Sequence, residues 1–167
     1  MQNFRYKIAT SEDLSDILQL KNKVKEHNNK IHLDIWQKDY PSKNLIMEDI
    51  QNQRARILVD SSKKVIAFSC LQPTEFEYSE ADFPKSYMTF SRLMVDCDLQ
   101  GQGIGTFFIE ELIKESKAKQ KQGMIITVDF FNDSAIHVYK KFGFEKLGVL
   151  SIPQAKYILD VYSLKFV

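Results

Sequence analysis

Little in this chain is present in excess, and its shortages limit what it can be. It has two cysteines in 167 residues, Cys70 and Cys97, and they form no CxxC pair. Two such thiols do not make a disulfide framework, so buried or idle thiols are expected. Histidine is scarce too: His27, His32 and His137 have no ligand spacing with one another or with the cysteines, so no metal site is expected. Neither sign of charge is in surplus. The 23 basic and 22 acidic residues leave a net charge of +1, which makes no global field for nucleic acid or an anionic membrane. No apolar run nears the roughly 20 residues that span a bilayer. The start, MQNFRYKIATSED, lacks the apolar core of a signal peptide. A cytoplasmic protein without nucleic-acid or membrane partners is the expectation.

Glycine is also sparse, but three of the six fall within five positions of DLQGQGIGTFF, residues 98–108. Two familiar phosphate loops fail here on spacing. A dinucleotide fingerprint would put its third glycine at Thr106, and a P-loop needs lysine after its last glycine, where Gly105 is followed by Thr106 and Phe107. What remains is Q-x-x-G-x-G, from Gln100 through Gly103 to Gly105, between an expected strand and an expected helix. A strand that feeds glycines into a helix start aims several backbone N–H groups at one point, where the helix dipole adds about half a positive charge. Without Cβ atoms at Gly101, Gly103 and Gly105, a phosphate can come close.

With 44% hydrophobic residues the chain can bury one sizeable core, so a single domain over 1–167 is expected. FRYKIA reads as a strand. Thr10 and Asp13 then bracket a capping box for a helix with Leu14, Ile17, Leu18 and Val24 on one face. HNNKIHLDIWQKDYPSKN has turn residues and no clean period, and reads as loop with room for a short helix. Ser42 caps a second helix carrying Leu45, Ile46 and Ile50. RILVD and KVIAFSCLQ form a hairpin, and the acidic, aromatic TEFEYSEADFPKS, residues 74–86, loops out. YMTFSRLMV is a strand running into the glycine loop. A helix from Ile104 to Lys121 ends at Gly123, and MIITVDF, residues 124–130, is a strand. Asn132 or Asp133 caps a short helix with Ala135, Val138, Tyr139 and Phe142 on one face, stopped by Gly143. FEKLGVLSI and YILDVYSLKF pair antiparallel. The order is β α α β β β α β α β β, an α/β arrangement about one sheet.

About thirty residues after the glycine loop, VDFFNDSAIHVYKKFGFEKLG sets Asn132, Ala135, Tyr139, Gly143 and Phe144 in a fixed order. Here the sequence resembles the GNAT superfamily, the Gcn5-related N-acetyltransferases. In that family Q/R-x-x-G-x-G/A follows the fourth strand and N-x-x-A-x-x-x-Y-x-x-x-G-F follows the fifth. The element order agrees with the fold across nearly the whole chain. Trp36, Gln37, Tyr40 and Pro41 further resemble a W-Q-x-x-Y-P stretch of small bacterial acetyltransferases of unassigned substrate. The implied fold is α/β and GNAT-like, with a mixed, mostly antiparallel central sheet flanked by helices.

The resemblance implies an acyl-CoA-dependent N-acetyltransferase with acetyl-CoA as co-substrate. The stretch Gln100, Gly101, Gln102, Gly103, Ile104, Gly105 and Thr106 would bind the cofactor, with the backbone amides from Gln102 to Thr106 holding the pyrophosphate. The backbone of Met94 and Val95 would pair with the pantetheine arm, which Asn132 would also hydrogen-bond. Tyr139 would be the catalytic acid at the sulfur. Side-chain chemistry agrees on the last point, because a phenol with a pKa near 10 is protonated at pH 7 and can donate to a departing thiolate. The implied acceptor is a primary amine of a small molecule or peptide, attacking directly while both substrates are bound. Its proton needs a base, and Glu75, Glu77, Asp96 and Asp129 are unranked candidates. A CoA-binding sensor without turnover is the alternative. The first helices and the loop between them would line the acceptor side, with Trp36 as an aromatic wall or as a staple on the core, and relatives of this kind include homodimers.

Overall fold

The computed structural model describes residues 3–36, 38–77, 83–84, 86–152 and 157–167. The elements are β1 (Arg5–Ile8), α1 (Leu14–Lys30), α2 (Lys43–Gln51), β2 (Ala55–Val59), β3 (Val65–Pro73), α3 (Thr74–Glu77) and β4 (Tyr87–Val95). After them come α4 (Ile104–Ala118), β5 (Gly123–Asp129), α5 (Asp133–Lys141), β6 (Glu145–Ile152) and β7 (Tyr157–Lys165), and 3₁₀ turns lie at Ser11–Asp13 and Cys97–Leu99. The strands form a seven-stranded open sheet in the order β1, β2, β3, β4, β5, β7, β6. It is mixed: β4 and β5 run parallel, while β1–β2, β2–β3, β5–β7 and β6–β7 are antiparallel. This is the expected α/β architecture with α3 added. Backbone contacts gather into two compact units, Met1–Leu71 with Arg92–Glu111, and Gln72–Ser91 with Leu112–Val167.

In the first unit the Thr10 N–H donates to Asp13 Oδ2 at 2.8 Å, closing the expected capping box ahead of α1. The buried stripe of α1 is Ile17, Leu20 and Val24, with Leu14 and Leu18 only partly covered. α1 continues through His27–Lys30, which the sequence reading gave to the loop, because the Ile31 N–H still finds the His27 carbonyl at 3.1 Å. Among the described residues no helix intervenes before α2, where Ser42 Oγ accepts from the Leu45 N–H at 3.1 Å. α1 and α2 cover Ala55, Ile57, Val59, Phe68 and Met94, each at most 4% exposed. Burying such a side chain is worth about 1.5–3 kcal/mol. The β2–β3 hairpin closes through Asp60, whose Oδ1 accepts from the Ser62 and Lys64 amides at 2.8 and 3.0 Å.

In the second unit β5 is the central strand, pairing with β7 along its whole length from Gly123↔Lys165 to Asp129↔Leu159. Gly123 opens this strand and does not end the preceding helix as the sequence suggested. α4 stops at Ala118, and the reversal is at Gln120, with φ of 59°. Glycine is needed at 123 for another reason: a Cβ there would lie 2.5 Å from the Leu164 carbonyl oxygen and 2.6 Å from the Tyr87 ring. The segment expected to loop out begins instead with α3, four residues long. Residues 78–82 and 85, also in that expectation, lie outside the described residues.

Candidate functional site

The glycine stretch is built as a turn held from below and open above. Asp96 follows β4, and its Oδ1 accepts from the Asp98 N–H at 3.0 Å, which starts the 3₁₀ turn Cys97–Leu99. The chain then passes through Gly101 and Gly103, with φ of 78° and 76°, a left-handed region that side chains disfavour. A Cβ at either would meet nothing within 4 Å, so backbone conformation alone selects glycine at both positions. Ile104, 1% exposed, anchors the start of α4 in the core, while Gln100, Gly101, Gln102, Gly103 and Thr106 face outward. The first α-helical bond runs from the Phe107 N–H to the Gly103 carbonyl at 2.9 Å. The amides of Ile104, Gly105 and Thr106 therefore precede the helical ladder and point out of its positive end. A Cβ on Gly105 would meet only Val95 Cγ2, at the ordinary distance of 3.7 Å. This cradle fits a phosphate or pyrophosphate. Met94 is buried in the first unit's core and Val95 half-buried beside Gly105.

Asp96 is spent in holding this turn. It is 2% exposed and receives Lys23 Nζ at 2.6 Å and Lys64 Nζ at 3.4 Å, and Lys23 also meets Asp98 at 2.6 Å. Burial pushes the Asp96 carboxyl up, but the hydrogen bonds from Lys23, the Asp98 amide and Lys64 outweigh it and hold the group below the usual carboxylate range. Asp96, Cys97 and Asp98 also bring three potential metal-ligating atoms within 4.8 Å of one another. The Lys23 ammonium occupies the cation's place on both carboxylates.

Tyr139 and Asn132 belong to α5 in the second unit. Asn132 is the N-cap, half-buried, and its side chain makes no capping bond, which leaves the amide to other partners. At the other end the Phe144 N–H reaches the Tyr139 carbonyl at 3.1 Å and the Gly143 N–H reaches Lys140 at 3.0 Å, with Gly143 at φ of 91°. This is a Schellman cap, and its customary hydrophobic contact is the Tyr139–Phe144 ring pair, centroids 6.0 Å apart. Phe90 closes on the Tyr139 ring at 5.8 Å. The Gly-Phe end of the pattern therefore fixes the tyrosine. Burial alone raises the phenol above its ordinary pKa, so it stays protonated across the working pH range. Its hydroxyl makes no hydrogen bond among the described residues.

The remaining candidate carboxylates differ in setting. Glu75 is exposed on α3. Asp129 ends β5, and its carbonyl accepts from the Asn132 N–H at 2.9 Å. Glu77 accepts a hydrogen bond from Gln72 Nε2. Gln72 Oε1, Thr74 Oγ1 and Thr89 Oγ1 are buried without a protein partner among the described residues. His27 is half-buried in α1, and His32 and His137 are exposed.

On the expected acceptor side, Trp36 packs on the first unit's core as a staple, and Tyr40 is 39% exposed. Lys21 Nζ pairs with Asp39 at 2.9 Å, and Lys25 Nζ donates to the Lys38 and Tyr40 carbonyls at 2.6 and 2.9 Å. The sequence reading missed Arg92. It lies in β4 with φ of 57°, and its guanidinium binds Asp49 through Nε and Nη2 at 2.9 and 2.8 Å. The visible signal was one arginine within the apolar run YMTFSRLMV.

The acetyltransferase (GNAT) family model matches residues 21–144. No curated protein matches the chain in sequence. Among solved structures, a GNAT family acetyltransferase from Streptococcus agalactiae 2603 is similar over 98% of this chain and 96% of its own, at 20% identity and a TM-score of 0.84. The ribosomal-protein-S18-alanine N-acetyltransferase from Escherichia coli is similar over 98% and 94%, at 19% identity and 0.71. PaiA N-acetyltransferase from Thermoplasma acidophilum, in complex with coenzyme A, is similar over 98% and 99%, at 15% identity and 0.75. At these identities the likeness is one of fold.

Proposed function

The chain belongs to the acetyltransferase (GNAT) family, and from that premise we propose that it moves an acetyl group from acetyl-CoA to a primary amine of a small molecule or peptide. It works as a single cytoplasmic domain over residues 1–167, by direct attack with both substrates bound. The observation that carries this reading is the glycine turn: Gly101 and Gly103 in left-handed conformation open onto the amides of Ile104, Gly105 and Thr106 before the first helical bond. In this reading those amides, with the outward-facing Gln100 and Gln102 on either side of Gly101, hold the pyrophosphate. The backbone of Met94 and Val95 and the uncommitted amide of Asn132 hold the pantetheine arm. When bound, acetyl-CoA supplies an activated acyl carbon and a thiolate leaving group.

Tyr139 donates a hydrogen bond to the thiolate as it develops at the sulfur. Its raised pKa keeps the phenol protonated and makes full proton transfer to the less basic thiolate unfavourable, so stabilisation by the hydrogen bond is its role. Of the four carboxylates, Glu77 is the favoured base. Asp96 is committed to Lys23 and Lys64, while Glu77 is bonded to Gln72, whose own Oε1 is buried without a protein partner among the described residues. Ordered water satisfies such a buried oxygen, and water beside Gln72 passes the amine's proton to Glu77.

The test is release of free CoA thiol from acetyl-CoA across a panel of amines and peptides. Turnover with at least one amine is expected, and Tyr139→Phe and Glu77→Gln should each lower kcat by about a hundredfold or more while acetyl-CoA affinity holds. Binding of acetyl-CoA without turnover on any amine would make the chain a CoA-binding module of the same fold. Full activity of Tyr139→Phe would remove the tyrosine from the mechanism.

A further inference from the structure

Arg92 carries two costs at one position. Its backbone sits at φ of 57° inside a strand, a conformation uncommon for any residue but glycine. Its side chain, 4% exposed, is a charge buried against Asp49, which is 1% exposed. Buried ion pairs of this kind are weak contributors to stability, since a well-packed apolar pair of similar volume often does as well or better. Backbone strain of this kind is found where function requires a geometry.

The contacts say which geometry. All three guanidinium nitrogens are used: Nε and Nη2 grip Asp49 on α2 in a fork, and Nη1 reaches the Tyr40 hydroxyl at 3.5 Å. Lys21 and Lys25 tie the same loop at Asp39 and at the Lys38 and Tyr40 carbonyls, and Arg92 adds a tie to the Tyr40 hydroxyl. The left-handed step at Arg92 comes two residues before Met94 and sets the backbone that follows, which stays bonded to β3 through the Asp96 N–H and the Ile66 carbonyl at 2.8 Å. Resting on the acetyltransferase reading above, we infer that Arg92 and Asp49 are positioning residues: a buried clamp that sets the β4 backbone leading to Met94 and Val95 and orients Tyr40 on the acceptor loop. A lysine could neutralise Asp49, but it lacks the fork that fixes direction and the third nitrogen that holds Tyr40.

The experiment replaces the pair by an apolar one, Arg92→Met with Asp49→Leu, so that no buried charge is orphaned and the strained φ is unchanged. Steady-state kinetics, acetyl-CoA calorimetry, melting temperature and amide exchange are compared with the wild type. A clamp predicts a folded protein whose acetyl-CoA Kd rises about three- to tenfold, because the Met94 and Val95 backbone that pairs with the pantetheine arm loses its support while the pyrophosphate cradle is untouched, and kcat lower by about ten- to a hundredfold from misplacement of the reacting groups. It also predicts that the Asp96 amide, bonded to the Ile66 carbonyl, exchanges about tenfold faster while the melting temperature holds. Unchanged kcat, acceptor KM and exchange would overturn the inference. If the wild type itself turns over no amine, the acetyltransferase reading fails and the exchange comparison alone decides the clamp. Should the double variant not fold, Arg92→Lys serves with the same readouts: wild-type kcat and exchange in it would equally overturn the clamp.

Discussion

Asp96 shows how one carboxylate can be removed from a list of candidate bases by its neighbours. Its charge is held by Lys23 and Lys64, and one oxygen starts the turn that delivers the glycines. Because its folded pKa lies below the ordinary carboxylate value, it contributes stability that is present above the unfolded value of about 3.9 and is lost as pH falls through the folded one. Asp96→Asn should therefore cost about 1–3 kcal/mol at pH 7, the range for an ionic hydrogen bond lost at a buried group. The gap between the two proteins, read from urea unfolding midpoints, should be constant above about pH 5 and narrow below about pH 4. A gap that widens on acidification would show that the carboxylate is not held in its ionised form.

At the scale of elements, α5 connects sequence to chemistry most directly. Its Gly-Phe terminus was legible as a helix stop, and the structure adds that the stop is a Schellman cap whose ring contact is Tyr139 itself. Gly143→Ala forces a side chain into φ of 91° and should cost about 1–2 kcal/mol. It should also lower kcat further than Tyr139-sparing surface changes of equal cost, since Phe144 would no longer fix the ring. Urea unfolding together with thiol release would check both parts, and a stability loss with unchanged kcat would separate the cap from catalysis. Gly123 was misread by the same logic that worked for Gly143. A glycine after a lysine-rich helical run looks like a cap, and its real constraint comes from Tyr87 and Leu164, distant in sequence. Arg92 and Asp49, 43 residues apart, were invisible for that reason too. Local periods and caps are written in the sequence, whereas pairings across elements emerge only when the strands are in register.

For the whole molecule, a net charge of +1 means that long-range attraction contributes little to the capture of a polyanionic donor. In the proposed function, recognition comes from the glycine turn and from the arm-binding residues together. ATP and NAD carry phosphates that suit the turn but no pantetheine to pair with the strand before it, so they should bind far more weakly than CoA. At a ligand concentration a hundredfold above Kd, binding to the folded state alone adds about 2.7 kcal/mol. In a chain of this length, that corresponds to a rise of about 5–10 °C in melting temperature. Acetyl-CoA and CoA should both give such a rise in a thermal melt, while ATP and NAD at the same concentration give little. Stabilisation by ATP or NAD without stabilisation by CoA would mean that the turn serves a nucleotide phosphate, and the assignment of the donor would fall with it.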